Sequence, residues 1–105
     1  EDRAFEDCYA LKSISLSRNL KKIGNKAFGG CRKMESCLMH DNVEEIGKYA
    51  FSNCHALTSM KLSKNLKKIG DWAFNGCKKK ESCLIHDNVE EIGKYAFNRC
   101  TALKS

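Results

Sequence analysis

Two segments of this chain carry a thiol, an imidazole and a carboxylate in the same order. They are Cys37-Leu38-Met39-His40-Asp41 and Cys83-Leu84-Ile85-His86-Asp87. A histidine beside a cysteine can activate a thiolate nucleophile, and the same pair belongs to zinc ligand sets. Both chemistries need side chains that converge on one point. An extended backbone alternates its side chains, so Cys37 and Met39 face one way and His40 the other. His55 stands apart from either segment. The sequence carries no nucleophile elbow, phosphate-binding loop or paired carboxylates in a plausible cleft. These residues point away from an enzyme and from a bound metal or cofactor.

The other cysteines explain the arrangement better. Ala-Phe followed three residues later by Cys occurs at Ala4-Phe5 with Cys8, Ala27-Phe28 with Cys31, Ala50-Phe51 with Cys54, Ala73-Phe74 with Cys77 and Ala96-Phe97 with Cys100. The interval is always 23 residues (27 − 4 = 23). A fixed period of that length marks a solenoid of stacked coils. Cys37 and Cys83 form a second column. Seven cysteines are an odd number, which argues against a complete disulfide framework. Cysteines in repeat columns read as buried small hydrophobes ahead of disulfides, and disulfides ahead of metal ligands.

The expected coils are residues 4–26, 27–49, 50–72 and 73–95, with a partial coil at 96–105, all in one domain. Apolar residues fall into columns, among them Leu16, Met39, Leu62 and Ile85, and Ile23, Ile46, Ile69 and Ile92. Ile14-Ser15-Leu16 and Met60-Lys61-Leu62 alternate apolar and polar, as strands with one buried face do. The repeated strands should lie about 4.8 Å apart as a parallel sheet. The opposite wall, from Leu20 to Phe28, has room for short strands, 3-10 turns or extended segments. Gly24, Gly47, Gly70 and Gly93 predict a recurring backbone bend.

The 105-residue chain has a formal charge of +6 with 30% charged residues, which suits a solvated surface. No apolar run approaches the roughly 18 residues of a membrane span. No signal peptide is visible, and the chain opens at Glu1, as a processed product or a fragment would. Arg32-Lys33, Lys67-Lys68 and Lys78-Lys79-Lys80 are basic, but nucleic acid requires an uncompensated basic face. Most lysines here alternate with acids, so a nucleic-acid partner is not expected.

The pattern Ala-Phe-x-x-Cys-x-x-Leu-x-x-Ile-x-Leu, then Leu/Val-x-x-Ile-Gly-x-x-Ala-Phe, resembles the BspA-type leucine-rich repeat along nearly the whole chain. The resemblance implies an α/β-type repeat solenoid that is mostly β. It would be a right-handed leucine-rich-repeat stack with a parallel sheet on one face. It also implies protein binding and adhesion, an extracellular or cell-surface location, and no catalytic residues. Two departures stand out. Where the family often has proline after the strand, this chain has Ser17, His40, Ser63 and His86, which become exposed polar candidates. Lys80 occupies a leucine column, where its aliphatic stem would let the ammonium reach water.

Coils also alternate with a period of 46. Asn19-Leu20-Lys21-Lys22-Ile23 recurs at Asn65 to Ile69, and Asn42-Val43-Glu44-Glu45-Ile46 recurs at Asn88 to Ile92. Residues 27–59 and 73–105 agree at 25 of 33 positions, as duplication of a double coil would leave them. Stacked, the columns read Lys21, Glu44, Lys67, Glu90 and Lys22, Glu45, Lys68, Glu91. Such an inter-coil charge ladder opposes a slip by one coil, because like charges would then meet. The Asn column predicts either amide hydrogen bonds along the stack or a left-handed turn residue.

Two surfaces are candidates for protein contacts. Ser15, Leu38, Lys61 and Leu84 lie on the outer face of the expected sheet, beside Ser13, Ser36, Ser59 and Ser82. Tyr49, Trp72 and Tyr95 form an aromatic column that is either a docking stripe or packing along the stack. Neither end of the repeat array carries a polar cap. The array is then a piece of a longer one, or its ends stack head-to-tail into an open filament. The leading expectation is a non-enzymatic interaction and adhesion scaffold. The alternative is a structural, self-assembling fibre subunit, whose partners are copies of itself.

Overall fold

The computed structural model describes residues 5–60, 62–78 and 88–98. Its elements are seven short strands, separated by turns, with no helix among the described residues. They are β1 (Ser13–Ser15), β2 (Lys22–Ile23), β3 (Ser36–Leu38), β4 (Glu45–Ile46), β5 (Ser59–Met60), β6 (Lys68–Ile69) and β7 (Glu91–Ile92). Two parallel sheets result, ordered β1-β3-β5 and β2-β4-β6-β7. The register follows the sequence period: Ile14 pairs with Cys37, Cys37 with Met60, Ile23 with Ile46, and Ile46 with Ile69. The chain is thus a solenoid of stacked coils with two parallel walls. The second wall consists of two-residue strands and turns.

Among the described residues, successive coils contribute one residue each to the core columns. Phe5, Phe28, Phe51, Phe74 and Phe97 stack with ring centroids 5.2–5.3 Å apart and planes within 7° of parallel. Phe51, Phe74, Met34, Leu57 and Leu66 are fully buried. Full burial of such side chains stabilises by about 1.5–3 kcal/mol each, so the columns supply most of the cohesion between coils. The Phe backbone adds a ladder of its own, with Phe28 N–H donating to Ala50 O at 2.8 Å and Phe51 N–H to Ala73 O at 2.7 Å.

The Ala-Phe-x-x-Cys motif is a turn. Cys31 N–H donates to Phe28 O and Cys54 N–H to Phe51 O, at 3.2 and 3.3 Å. The third residue of this turn is Asp7, Gly30, Asn53 or Gly76 in successive coils, with φ of 60°, 78°, 60° and 79°. A positive φ at that place is the type II arrangement, which glycine and asparagine tolerate best. The alternation has a spatial cause. A Cβ on Gly30 would collide with the Asp7 carboxylate, and one on Gly76 would lie 2.7 Å from Asn53 Oδ1.

The glycines after the isoleucine column do a different job from the bend expected of them. Positive-φ glycines are Gly30 and Gly76 among the described residues; Gly47, Gly70 and Gly93 are not. A Cβ on Gly47 would stand 2.7 Å from Asn25 N, and one on Gly70 would stand 2.6 Å from Lys48 N. Gly93 is equally confined against Asp71. These glycines let successive backbones approach closely. The bend falls two residues later, at Lys26, Tyr49, Trp72 and Tyr95, with φ of 59–61°. Ala27 N–H to Gly24 O (3.2 Å), Ala50 N–H to Gly47 O (3.3 Å) and Ala73 N–H to Gly70 O (3.3 Å) close these turns.

Candidate functional site

The described cysteines belong to the packing of the stack. Cys8, Cys31, Cys37, Cys54 and Cys77 are free thiols, and all but Cys8 are buried. Cys31 Sγ donates to Phe5 O and Cys54 Sγ to Phe28 O, both at 3.2 Å, and Cys77 Sγ donates to Phe51 O at 3.3 Å. Each thiol therefore ties its coil to the turn of the coil before. Burial pushes the Cys37 thiol up to about 12 and raises the Cys54 thiol as well, which suppresses the thiolate that nucleophilic or metal chemistry requires. Cys37 is buried on the inner side of β3 while Leu38 is exposed on the outer side. Cys83, His86 and Asp87 lie outside the described residues. Among the described residues no three His, Cys, Asp or Glu side chains gather as a metal set. The same residues include no helix long and apolar enough to cross a membrane.

At Ser17 and Ser63, two of the four positions where proline is absent after the strand, the turn is closed by a hydroxyl. Ser17 Oγ accepts from Asn19 N–H and Ser63 Oγ from Asn65 N–H, each at 3.2 Å. Ser63 is fully buried, so it leaves the set of exposed polar candidates. The Asn column runs along the stack, but its partners are backbone. Asn42, Asn65 and Asn88 donate Nδ2 to the carbonyls of Arg18, Asp41 and Lys64 at 2.6–2.9 Å. None of these asparagines has a positive φ; the left-handed reading fails there.

The charge columns lie at the surface, with Glu44 and Glu45 half-buried and the other members exposed. Lys22 Nζ lies 3.7 Å from Glu45, and Lys68 Nζ lies 3.7 Å from Glu91. Both pairs join a lysine-bearing coil to the glutamate-bearing coil that follows it. Lys21, Glu44, Lys67 and Glu90 are linked through their backbones, with Glu44 N–H to Lys21 O at 2.7 Å and Glu90 N–H to Lys67 O at 2.8 Å. A single exposed pair of this kind is worth about 0–1 kcal/mol.

The aromatic stripe is a stack seen edge-on. Tyr49 and Trp72 are parallel within 2° at 6.1 Å, and Trp72 and Tyr95 stack at 4.6 Å. Lys26 Nζ covers the free face of Tyr49, 5.6 Å from its centroid. Ring faces are thus consumed within the chain, and ring edges reach solvent, together with the open side of Tyr95, which is 60% exposed. Sequence reasoning located this column but missed its backbone. Bulky residues at positive φ cost about 1–2 kcal/mol each, and nothing in their type signals that conformation. The signal available was position, two residues after an unbroken glycine column.

On the other side of the stack, β1 and β3 present Ser13, Ser15 and Leu38 outward, with Ile14 half-buried and Cys37 buried beneath. Leu38 is 53% exposed and sits in register beside Ser15. Lys61 and Leu84, the other members of that row, lie outside the described residues, as does Lys80. The structure does not join the two candidate surfaces into one site.

Comparison with known proteins follows the same geometry. The family model for the BspA type leucine rich repeat region matches residues 1–105 in six copies. A leucine-rich repeat protein from Bacteroides ovatus superposes with a TM-score of 0.94 at 36% identity, over 99% of this chain and 27% of its own. The T. pallidum leucine-rich repeat protein superposes with a TM-score of 0.95 at 32% identity, over 97% of this chain and 48% of its own. The chain thus spans between a quarter and a half of the length of these solved structures. No curated protein matches it.

Proposed function

The chain belongs to the BspA-type leucine-rich repeat family, and from that premise we propose that residues 1–105 form one continuous non-enzymatic scaffold for protein interaction and adhesion at an extracellular or cell surface. The observation that carries this reading is the outer face of β1 and β3. It is an in-register surface on which the apolar Leu38 is held in water among serines. A leucine that could pack and does not is a contact candidate on a rigid platform. Ser15 lies beside Leu38 in the same row, Lys61 and Leu84 are its further members by sequence position, and Tyr49, Trp72 and Tyr95 offer a second surface.

The test is adhesion of beads that carry the chain to a surface coated with extracellular-matrix protein. Leu38→Glu is expected to lower retention, and Tyr95→Ala to lower it further, with thermal unfolding unchanged for both. Equal retention of the parent and the double variant would sink this reading.

The alternative is a self-assembling fibre subunit that stacks head-to-tail. Sedimentation over a hundredfold concentration range decides it. A dilution-independent monomer removes it.

A further inference from the structure

One face of the stack breaks the charge alternation. Directly after the cysteine of the Ala-Phe-x-x-Cys turn, Arg32, His55 and Lys78 share a column at the 23-residue interval (55 − 32 = 23, 78 − 55 = 23). Lys33 stands in the column beside it, where Lys79 falls by sequence position, outside the described residues. The remaining members of the two columns are Tyr9, Thr101, Ala10, Ala56 and Ala102, so neither column contains an acid. Arg32, Lys33 and Lys78 are exposed, and His55 is half-buried. The ion pairs seen among the described residues, Lys22 with Glu45 and Lys68 with Glu91, belong to the β2-β4-β6-β7 sheet instead.

Like charges on neighbouring coils repel unless something carries the opposite charge between them. The His55 imidazole registers that field: partial burial holds it below the usual histidine range, and Lys78 and Arg32 press it lower. The Arg32 guanidinium lies over the Tyr9 ring, 5.5 Å from its centroid, which holds the cation at the surface. Glu6 and Asp7 line a cavity together with Arg32, and they bound the basic face on the side of the first coil. The basic levels, Arg32-Lys33 and Lys78, are two coils apart, about 10 Å at the strand spacing.

We propose that this turn face binds a linear sulfated polysaccharide running along the stack, with successive sulfates on the Arg32-Lys33 level and on the Lys78 level. A disaccharide of an extended chain covers a similar distance, so a chain sulfated once per disaccharide meets cations in step. The oxygens of one sulfate can accept from the Arg32 guanidinium fork and the Lys33 ammonium together. A single-stranded nucleic acid also carries evenly spaced anions, but its binding sites add free aromatic faces to the basic groove. Beside this column the Tyr9 ring already carries Arg32, and Tyr49 and Trp72 stack on one another. The site is separate from the outer face of β1 and β3, and it stands whether or not Leu38 contacts a protein.

The probe is a fluorescent heparin oligosaccharide, titrated with the 105-residue chain and read by anisotropy. Saturable binding that weakens steeply with added salt is expected. Arg32→Gln/Lys33→Gln/Lys78→Gln should bind about tenfold more weakly, as the loss of three exposed charge contacts gives, with an unchanged circular dichroism spectrum. Lys21→Gln/Lys48→Gln/Lys67→Gln removes the same charge from exposed positions along the β2-β4-β6-β7 sheet and should bind like the parent. Desulfated heparin, which keeps its carboxylates, and a single-stranded oligothymidylate should both bind more weakly than the sulfated chain. Absence of saturable binding, equal weakening in the two triple variants, or equal affinity for either comparison polymer would each overturn the proposal. Leu38→Glu, which tests the adhesion reading, should leave heparin binding unchanged.

Discussion

The Cys54 thiol and the Phe28 carbonyl oxygen are joined by a hydrogen bond of 3.2 Å across 26 residues, and the same oxygen accepts Cys31 N–H at 3.2 Å. One acceptor thus closes its own turn and holds the following coil. Cysteine suits the position because it is small, apolar and still a donor. Cys54→Ala is expected to destabilise by about 1–3 kcal/mol, from the lost bond and the space left behind. Urea unfolding followed by circular dichroism measures it.

Burial orders the thiols by reactivity. Cys8 is half-buried, while Cys31, Cys37, Cys54 and Cys77 are buried. Among these five, an aromatic disulfide reagent at pH 8 should label Cys8 first and the others at the rate of unfolding. Burial raises the Cys31, Cys37 and Cys54 thiols above their ordinary value near 9.0, Cys37 to about 12. In the unfolded chain they ionise near 9, and in the folded chain they stay protonated beyond it. The stability they contribute is therefore complete below about pH 9 and declines as pH rises toward 12. Flat stability from pH 8 to 11 would contradict this.

Gly70 and Gly29 should respond differently to the same methyl group. At Gly70 an added Cβ stands 2.6 Å from Lys48 N, whereas at Gly29 the nearest neighbour is 3.4 Å away. Gly70→Ala is expected to cost about 3 kcal/mol as the coils are forced apart. Gly29→Ala should stay within about 1 kcal/mol. The difference in melting temperature between the two variants is the readout.

The ion pairs should matter little to stability and more to arrangement. Lys22 and Glu45, 3.7 Å apart and largely exposed, should show a double-mutant coupling below about 1 kcal/mol that fades in 1 M salt. A larger, salt-independent coupling would mean that the column carries structure by itself.

His55 provides a test of surface electrostatics. Its imidazole is held below the usual histidine range, first by partial burial and then by Lys78 and Arg32. Its proton resonance should titrate below 6.5 and shift upward in Lys78→Ala.

The fold was legible because every coil repeats the same choices. Ile23, Ile46 and Ile69 announce a column by spacing alone, and the burial of Phe51 and Phe74 follows from theirs. The charge alternation at Lys22, Glu45, Lys68 and Glu91 could also be read by laying coils over one another. The errors came where a residue type has two physical uses. Gly70 was expected to bend the chain and instead admits a neighbouring backbone, while Trp72 takes the left-handed conformation that glycine usually supplies. Ser63 was expected in solvent, yet its hydroxyl is satisfied by Asn65 N–H inside the stack. Type and spacing cannot separate such uses; neighbouring coils decide them. The surfaces were legible as rows, but which faces of the Tyr49–Trp72–Tyr95 rings are spent on one another is a property of the turn geometry.

The constant 23-residue register has a kinetic meaning. Each new coil must close a loop of the same length, whatever the size of the array, at an entropic cost of about 3 kcal/mol plus a fixed term. Growth from any formed pair of coils then proceeds at a rate that does not fall as the molecule lengthens, and double coils can be added or lost in multiples of 46 residues without altering the search that folds them.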